Sequence, residues 1–196
     1  GVITLGINHN FPTSWPIRTY HGRDRMDRLD LAIIQDCAYM IGTTSGPSLV
    51  ARLFKKRIYL SNVTDWATSI PWDDEDVYLL KRVKRHNRFL SLAEVLNDHK
   101  TIFAPGADYE YELIQNSRKE IQEAFIEFIN PVSASSTQLA FETSRKNAVK
   151  RLLSEGYPHN IRGMTGRWKT QEQYKIAAYT TIADGKISKS FLETLD

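Results

Sequence analysis

A single cysteine, Cys37, in a chain of 196 residues rules out an internal disulfide. It stands beside an apolar run, so a buried structural thiol is expected rather than a nucleophile. No stretch reaches the 18 or more uncharged apolar residues of a membrane-spanning helix, and no signal-peptide pattern opens the sequence. The expected setting is cytoplasmic, or peripheral at the inner face of the membrane. His9, His21, His86, His99 and His159 lack metal-ligand spacing, and no Ser/His/Asp arrangement can be assembled. Charge of one sign is scarce as well: 26 cationic side chains face 23 acidic ones, for a net charge of +3. Without a sustained basic block, nucleic-acid binding is not expected. The densest cationic stretch, Lys81 to Arg88, reads as a solvated face or loop that can also attract an anion.

What is present is ordinary for a globular chain with room for one core, at 41% hydrophobic and 25% charged residues. The most informative stretch is Ala38 to Phe54. An apolar strand, Ala38–Ile41, stops at the small-residue loop Gly42-Thr43-Thr44-Ser45-Gly46, and a helical pattern begins at once. Ser45 can cap that helix, Pro47 suits its first turn, and Leu49, Val50, Leu53 and Phe54 recur at helical spacing. Unpaired N–H groups of a first turn, with the positive end of the helix dipole, face whatever anion the loop holds. A diphosphate fits such a place, although a plain strand-to-helix turn has the same outline. The loop lacks the Gly-Lys-Ser/Thr ending of the triphosphate P-loop and the three-glycine spacing of the dinucleotide fingerprint.

Strands and helices alternate around this motif. Val2–Leu5 reads as strand, Asp27–Asp36 as helix, Arg57–Leu60 and Asp76–Leu80 as strands, and Ser91 with Glu94 as a capping box. The order predicts an α/β fold with a Rossmann-like parallel sheet and crossover helices over residues 1–105. Ligands bind such sheets at the carboxyl ends of the strands, so the loops Gly6–Asn10, Gly42–Gly46 and Ser61–Trp66 are expected on one rim. Residues 106–196 read as a helical carboxyl-terminal extension. Its expected parts are long helices over Asp108–Ile129 and Ala134–Ser154, a Gly-containing loop at Ile161–Trp168, a helix over Gln171–Thr181, a turn at Asp184-Gly185 and a last helix over Ser188–Leu195. Because Gly1 opens directly onto a core-like strand, an excised piece of a longer chain is expected.

These pieces in this order resemble the carboxyl-terminal half of a GT-B type glycosyltransferase, and more narrowly a family of bacterial glycosyltransferases recognised mainly by sequence. The residues that carry the resemblance are the strand ending in Leu5-Gly6, the helix Asp27-Arg28-Leu29-Asp30-Leu31, the run Cys37 to Gly46, Val50 to Phe54, and Arg57 to Asn62. Asp76 to Lys81, Ser91 to Glu94 and Gly185 to Leu192 add support. The resemblance implies a donor site in which Gly42, Thr43, Thr44, Ser45, Gly46 and Ser48 hold the phosphates of a nucleotide-diphosphate sugar. It implies a glycan or lipid-linked acceptor, no cofactor, and a second α/β domain of the same parent chain on the acceptor side, which is absent from this sequence. A non-catalytic nucleotide-sugar binding module and a nucleotide-sugar epimerase keep the same donor site.

Sugar transfer builds negative charge on the departing diphosphate, which backbone N–H groups, a helix N-terminus and a cation can stabilise without metal. Lys81, Arg82 and Arg18 are candidates for the cation. Asn62 and Trp66 follow a strand on the expected rim and are candidates for the nucleobase, with Trp66 and Trp72 alternatively packing the loop on the core. Gly6 and His9 belong to the first rim loop. Asp74-Glu75-Asp76 spells an acid–any–acid triplet, but its Pro/Trp loop favours a solvated acidic turn over a metal site. No catalytic base is identified.

Overall fold

The computed structural model describes residues 2–5, 14, 16–20, 27–67, 71, 73–103, 110–155 and 184–195. The expected loop at Ile161–Trp168 and helix at Gln171–Thr181 lie outside these residues, as do Gly6, His9 and Trp72. The protein is mixed α/β. Its elements run β1 (Val2–Leu5), β2 (Ile17–Tyr20), α1 (Asp27–Asp36), β3 (Tyr39–Gly42), α2 (Gly46–Leu53), β4 (Arg57–Val63) and β5 (Val77–Leu80). There follow β6 (Arg82–Arg85), β7 (Arg88–Phe89), α3 (Leu92–Asn97), α4 (His99–Phe103), β8 (Tyr111–Ile114), α5 (Arg118–Ile129), α6 (Ser136–Ser154), β9 (Lys186–Ile187) and α7 (Lys189–Leu192).

The main sheet is all-parallel, in the order β3-β4-β5-β9. Its central strands are covered on both faces, which is why Ile58, Tyr59 and Leu60 and the whole of Val77–Leu80 read as unbroken apolar runs. On one face, α5 lays Phe125 and Phe128 against Tyr59, with ring centroids 6.0 and 5.9 Å away, and the Tyr59 hydroxyl donates to the Ile121 carbonyl at 2.9 Å. On the other, α6 brings polar side chains to the sheet. The Tyr78 hydroxyl donates to Glu142 at 2.5 Å, Arg145 Nε donates to the same carboxylate at 2.9 Å, and Gln138 Nε2 donates to the Ile187 carbonyl at 2.7 Å. Tyr78, Arg145 and Ile187 are fully buried, so every polar group in this cluster answers another.

Four sequence expectations are corrected by the fold. First, β1 does not join the main sheet; it pairs in parallel with β2 in a separate two-stranded sheet, and only Leu5 packs against the core. Second, the helix expected over Asp108–Ile129 is a strand followed by a helix. Tyr111–Ile114 forms β8, and α5 starts only where Ser117 accepts the Glu120 N–H and Glu120 returns a bond to the Ser117 N–H. Third, the cationic stretch Lys81 to Arg88 is not a plain loop. It forms the hairpin β6–β7, turned by His86 and Asn87 at φ 49° and 63°, and β8 completes an antiparallel sheet in the order β7-β6-β8. Fourth, the stretch after residue 106 is not simply helical, because β9 adds to the far edge of the main sheet beside β5.

Candidate functional site

Parallel pairing of β3, β4 and β5 puts their carboxyl ends on one edge. There the Gly42–Gly46 and Ser61–Trp66 segments come together as expected, and Lys81 leaves β5 beside them, its N–H donating to the Val63 carbonyl at 2.8 Å. The third expected loop, Gly6–Asn10, follows β1 and lies outside the described residues.

The β3–α2 turn has the form the sequence suggests. Thr43, Thr44, Ser45 and Gly46 are exposed to solvent, and Gly46 opens α2 with Pro47 in the first turn. Ser45 and Ser48 face each other as in a capping box, but the Ser45 side chain completes no capping hydrogen bond. Instead Ser48 Oγ accepts the Ser45 N–H at 3.2 Å and donates to the Ser45 carbonyl at 2.7 Å. The backbone N–H of Ser48 faces the Ser45 side chain in this box, whereas the N–H of Gly46 has no hydrogen-bond partner among the described residues, and a free N–H at a helix start can receive an anion. A Cβ built on Gly46 meets nothing within 4 Å. The turn is open at this position, and no positive φ requires glycine there.

Asn62 and Trp66 go different ways. Asn62 is half-buried and left-handed, at φ 54°, where the β4–β5 register slips between Leu60 and Val63. Its N–H donates to Asn116 Oδ1 at 2.7 Å, and its own Oδ1 accepts the Asn116 N–H at 2.8 Å. Trp66 is 2% exposed and packs against Phe141 with centroids 6.2 Å apart. Of its two expected roles, the structure shows the packing one: no ring face is left for a base. Lys81 is half-buried, and its ammonium has no partner among the described residues. Arg82 is spent on Glu120 and Thr194, at 2.6 Å each. Arg18 is exposed on β2.

The acidic triplet does not converge. Asp74 is exposed and Glu75 reaches Arg57 at 3.3 Å. Asp76, expected to be solvated, is instead fully buried, accepting the Ile58 N–H at 2.6 Å and the Asp73 N–H at 3.2 Å. It ties the amino ends of β4 and β5 together. Burial pushes its carboxyl up to about 6, against the pull of those N–H groups and of Arg52. Among the described residues no cluster of three His, Cys, Asp or Glu side chains is placed to hold a metal. Cys37 is half-buried and donates to the Ile34 carbonyl at 3.2 Å, with its thiol pushed up by burial.

A separate open groove of about 500 Å³ lies between β6–β7–β8 and α3–α4. Of the residues singled out in the sequence, Arg85 and Arg88 of the cationic stretch line it, and none of the expected donor-site residues does. Its cations are already answered, Arg88 by Glu94 at 2.6 Å and Arg85 by Glu110 at 3.2 Å. Glu94 is held down to about 2 by Arg88 and the Ser91 cap, and the Tyr111 hydroxyl donates to Asp98 at 2.5 Å. Neutralised in this way, the groove is a poorer anion site than the β3–α2 turn.

The fold and the edge together define a mixed α/β protein with a four-stranded parallel sheet and a candidate anion-binding turn at its carboxyl edge. Comparison with protein-family models, with curated proteins and with solved structures finds no match to this chain. Among the described residues no helix is long and apolar enough to cross a membrane.

Proposed function

We propose that this chain is the donor-binding half of a metal-independent glycosyltransferase of the GT-B type, with a Rossmann-like domain that holds a nucleotide-diphosphate sugar. The acceptor in this reading is a glycan or lipid-linked hydroxyl. The observation that carries it is the β3–α2 turn: an exposed small-residue loop at the carboxyl end of a parallel strand, with the Gly46 N–H uncapped at the start of α2. In the reaction that N–H and the helix start meet the diphosphate as the glycosidic bond breaks and charge builds on the leaving oxygen. Lys81, at the end of β5 on the same edge, supplies a positive charge to that region.

The test is a thermal-shift and calorimetry panel with UDP, GDP, ADP and CMP on the parent chain and on Gly46→Val. Saturation at one hundred times the dissociation constant raises stability by about 2.7 kcal/mol. The open space at Gly46 lets valine fold, and in this reading its branched side chain fills the space a phosphate would take. At least one nucleoside diphosphate is expected to bind the parent and to bind Gly46→Val at least tenfold more weakly. Equal binding by both proteins would leave the turn as a turn and sink the proposal.

A further inference from the structure

The Asn62–Asn116 pair is a bracket whose hydrogen-bond arithmetic leaves one amide unused. A backbone N–H can only donate, so the atom that each asparagine offers the other's N–H must be its carbonyl oxygen. That fixes both side-chain orientations. Asn116 Nδ2 then donates to the Leu80 carbonyl at 2.8 Å, at the carboxyl end of β5. Asn62 Nδ2 points away from the bracket and has no partner among the described residues. Asn116 is 8% exposed and anchored at the β8–α5 junction, whereas Asn62 is half-buried on the sheet edge. The left-handed backbone at Asn62, tolerated by asparagine better than by most residues, is what turns its N–H and Oδ1 toward Asn116.

An amide NH2 can only donate, so its ligand is an acceptor. Lys81 follows β5 on the same edge, its backbone N–H donating to the Val63 carbonyl at 2.8 Å, and the Asp65 Oδ1 is turned back onto the Ala67 N–H at 2.7 Å. We infer that Asn62 Nδ2 is a preset donor to a phosphoryl oxygen of the nucleotide-diphosphate ligand, and that Asn116 is the positioning residue that aims it. The inference rests on the donor-site reading above and extends that site one strand beyond the β3–α2 turn, to β4.

Asn62→Asp separates this role from a structural one. Aspartate keeps the oxygen that receives the Asn116 N–H and exchanges only the outward NH2 for an anionic oxygen. The expected result is a melting temperature within about 2 °C of the parent, with the dissociation constants of UDP and of inorganic pyrophosphate both raised at least tenfold. Asn116→Ala, checked for folding by circular dichroism, is expected to weaken both ligands as well, because Asn62 loses its aim. If Asn62→Asp binds UDP and pyrophosphate like the parent, the inference fails and the donor-site reading stands. A loss for UDP alone also overturns it, since the contact would then be to the nucleoside. If the parent binds neither these probes nor GDP, ADP or CMP, both fall together.

Discussion

Asp76 gives stability that runs against the usual direction of acid denaturation. Its carboxyl is fully buried at the amino ends of β4 and β5, and its folded-state value is raised from 3.8 to about 6. Between those two values the folded protein holds a proton that the unfolded chain has released. The contribution is therefore complete below 3.8 and is lost as pH rises through 6. The gap is worth about 3 kcal/mol. The variant Asp76→Asn carries a neutral amide at every pH and keeps an oxygen for the Ile58 N–H, so it lacks this loss. Urea unfolding of both proteins at about pH 4 and pH 7 isolates the group, because other titrations cancel in the comparison. Relative to the parent, Asp76→Asn should gain about 2 kcal/mol between about pH 4, where the contribution is not yet complete, and about pH 7, whatever its offset from the changed contact at Asp73. Parallel curves would refute the reasoning. A parent that gains on the variant toward neutral pH would mean that Arg52 and the two N–H groups outweigh burial and keep the carboxylate ionised.

Two further outcomes follow from the core. Arg145→Ala should cost about 3–5 kcal/mol by denaturant unfolding, because it strands Glu142 as a buried charge between α6 and the sheet; a cost below about 1 kcal/mol would show that the carboxylate finds water. Gly185→Ala should cost about 1–3 kcal/mol, seen as a fall in melting temperature, since its Cβ would lie 2.7 Å from the Pro71 carbonyl oxygen that now accepts the Gly185 N–H; an unchanged melting temperature would mean that the contact with Pro71 gives way at no cost.

The sequence foretold the elements whose signals are local. Leu29, Ile33 and Ile34 mark α1, and Ser45 with Pro47 marks the start of α2, because a cap and a helical spacing are read within a few residues. The β3–α2 turn was legible for the same reason. The helix over Asp108–Ile129 was overextended because Leu113 and Ile114 fit its apolar spacing. The stop signal was the Ser117–Glu120 capping box, present in the sequence but overridden by that periodicity. The two-residue strand β9 has no pattern of its own and exists only because β5 has an edge to pair. Asp76 and Asn116 were missed for another reason. Their partners lie 18 and 54 positions away, and neither a buried acid nor an asparagine bracket leaves a periodic trace. Trp66 shows the limit from the other side, since a tryptophan after a strand reads alike whether it holds a base or fills the core.

The pairing of β9 with β5 also sets an order on assembly. β5 is bonded on one side to β4, an early neighbour, and on the other to residues 186–187, while Arg82 and Thr194 across the same gap are 112 positions apart. Closing a loop of that length adds only slowly to the entropic cost of folding, but it is a non-local event of the kind that slows it. Until it happens, the second edge of β5 is an open ladder flanked by the apolar Val77–Leu80 run, and Gln138 and Glu142 on α6 lack the Ile187 backbone they serve. Residues 185–195 thus act as a latch: an intermediate in which they are undocked leaves the second edge of β5 open to another strand, and their docking closes it.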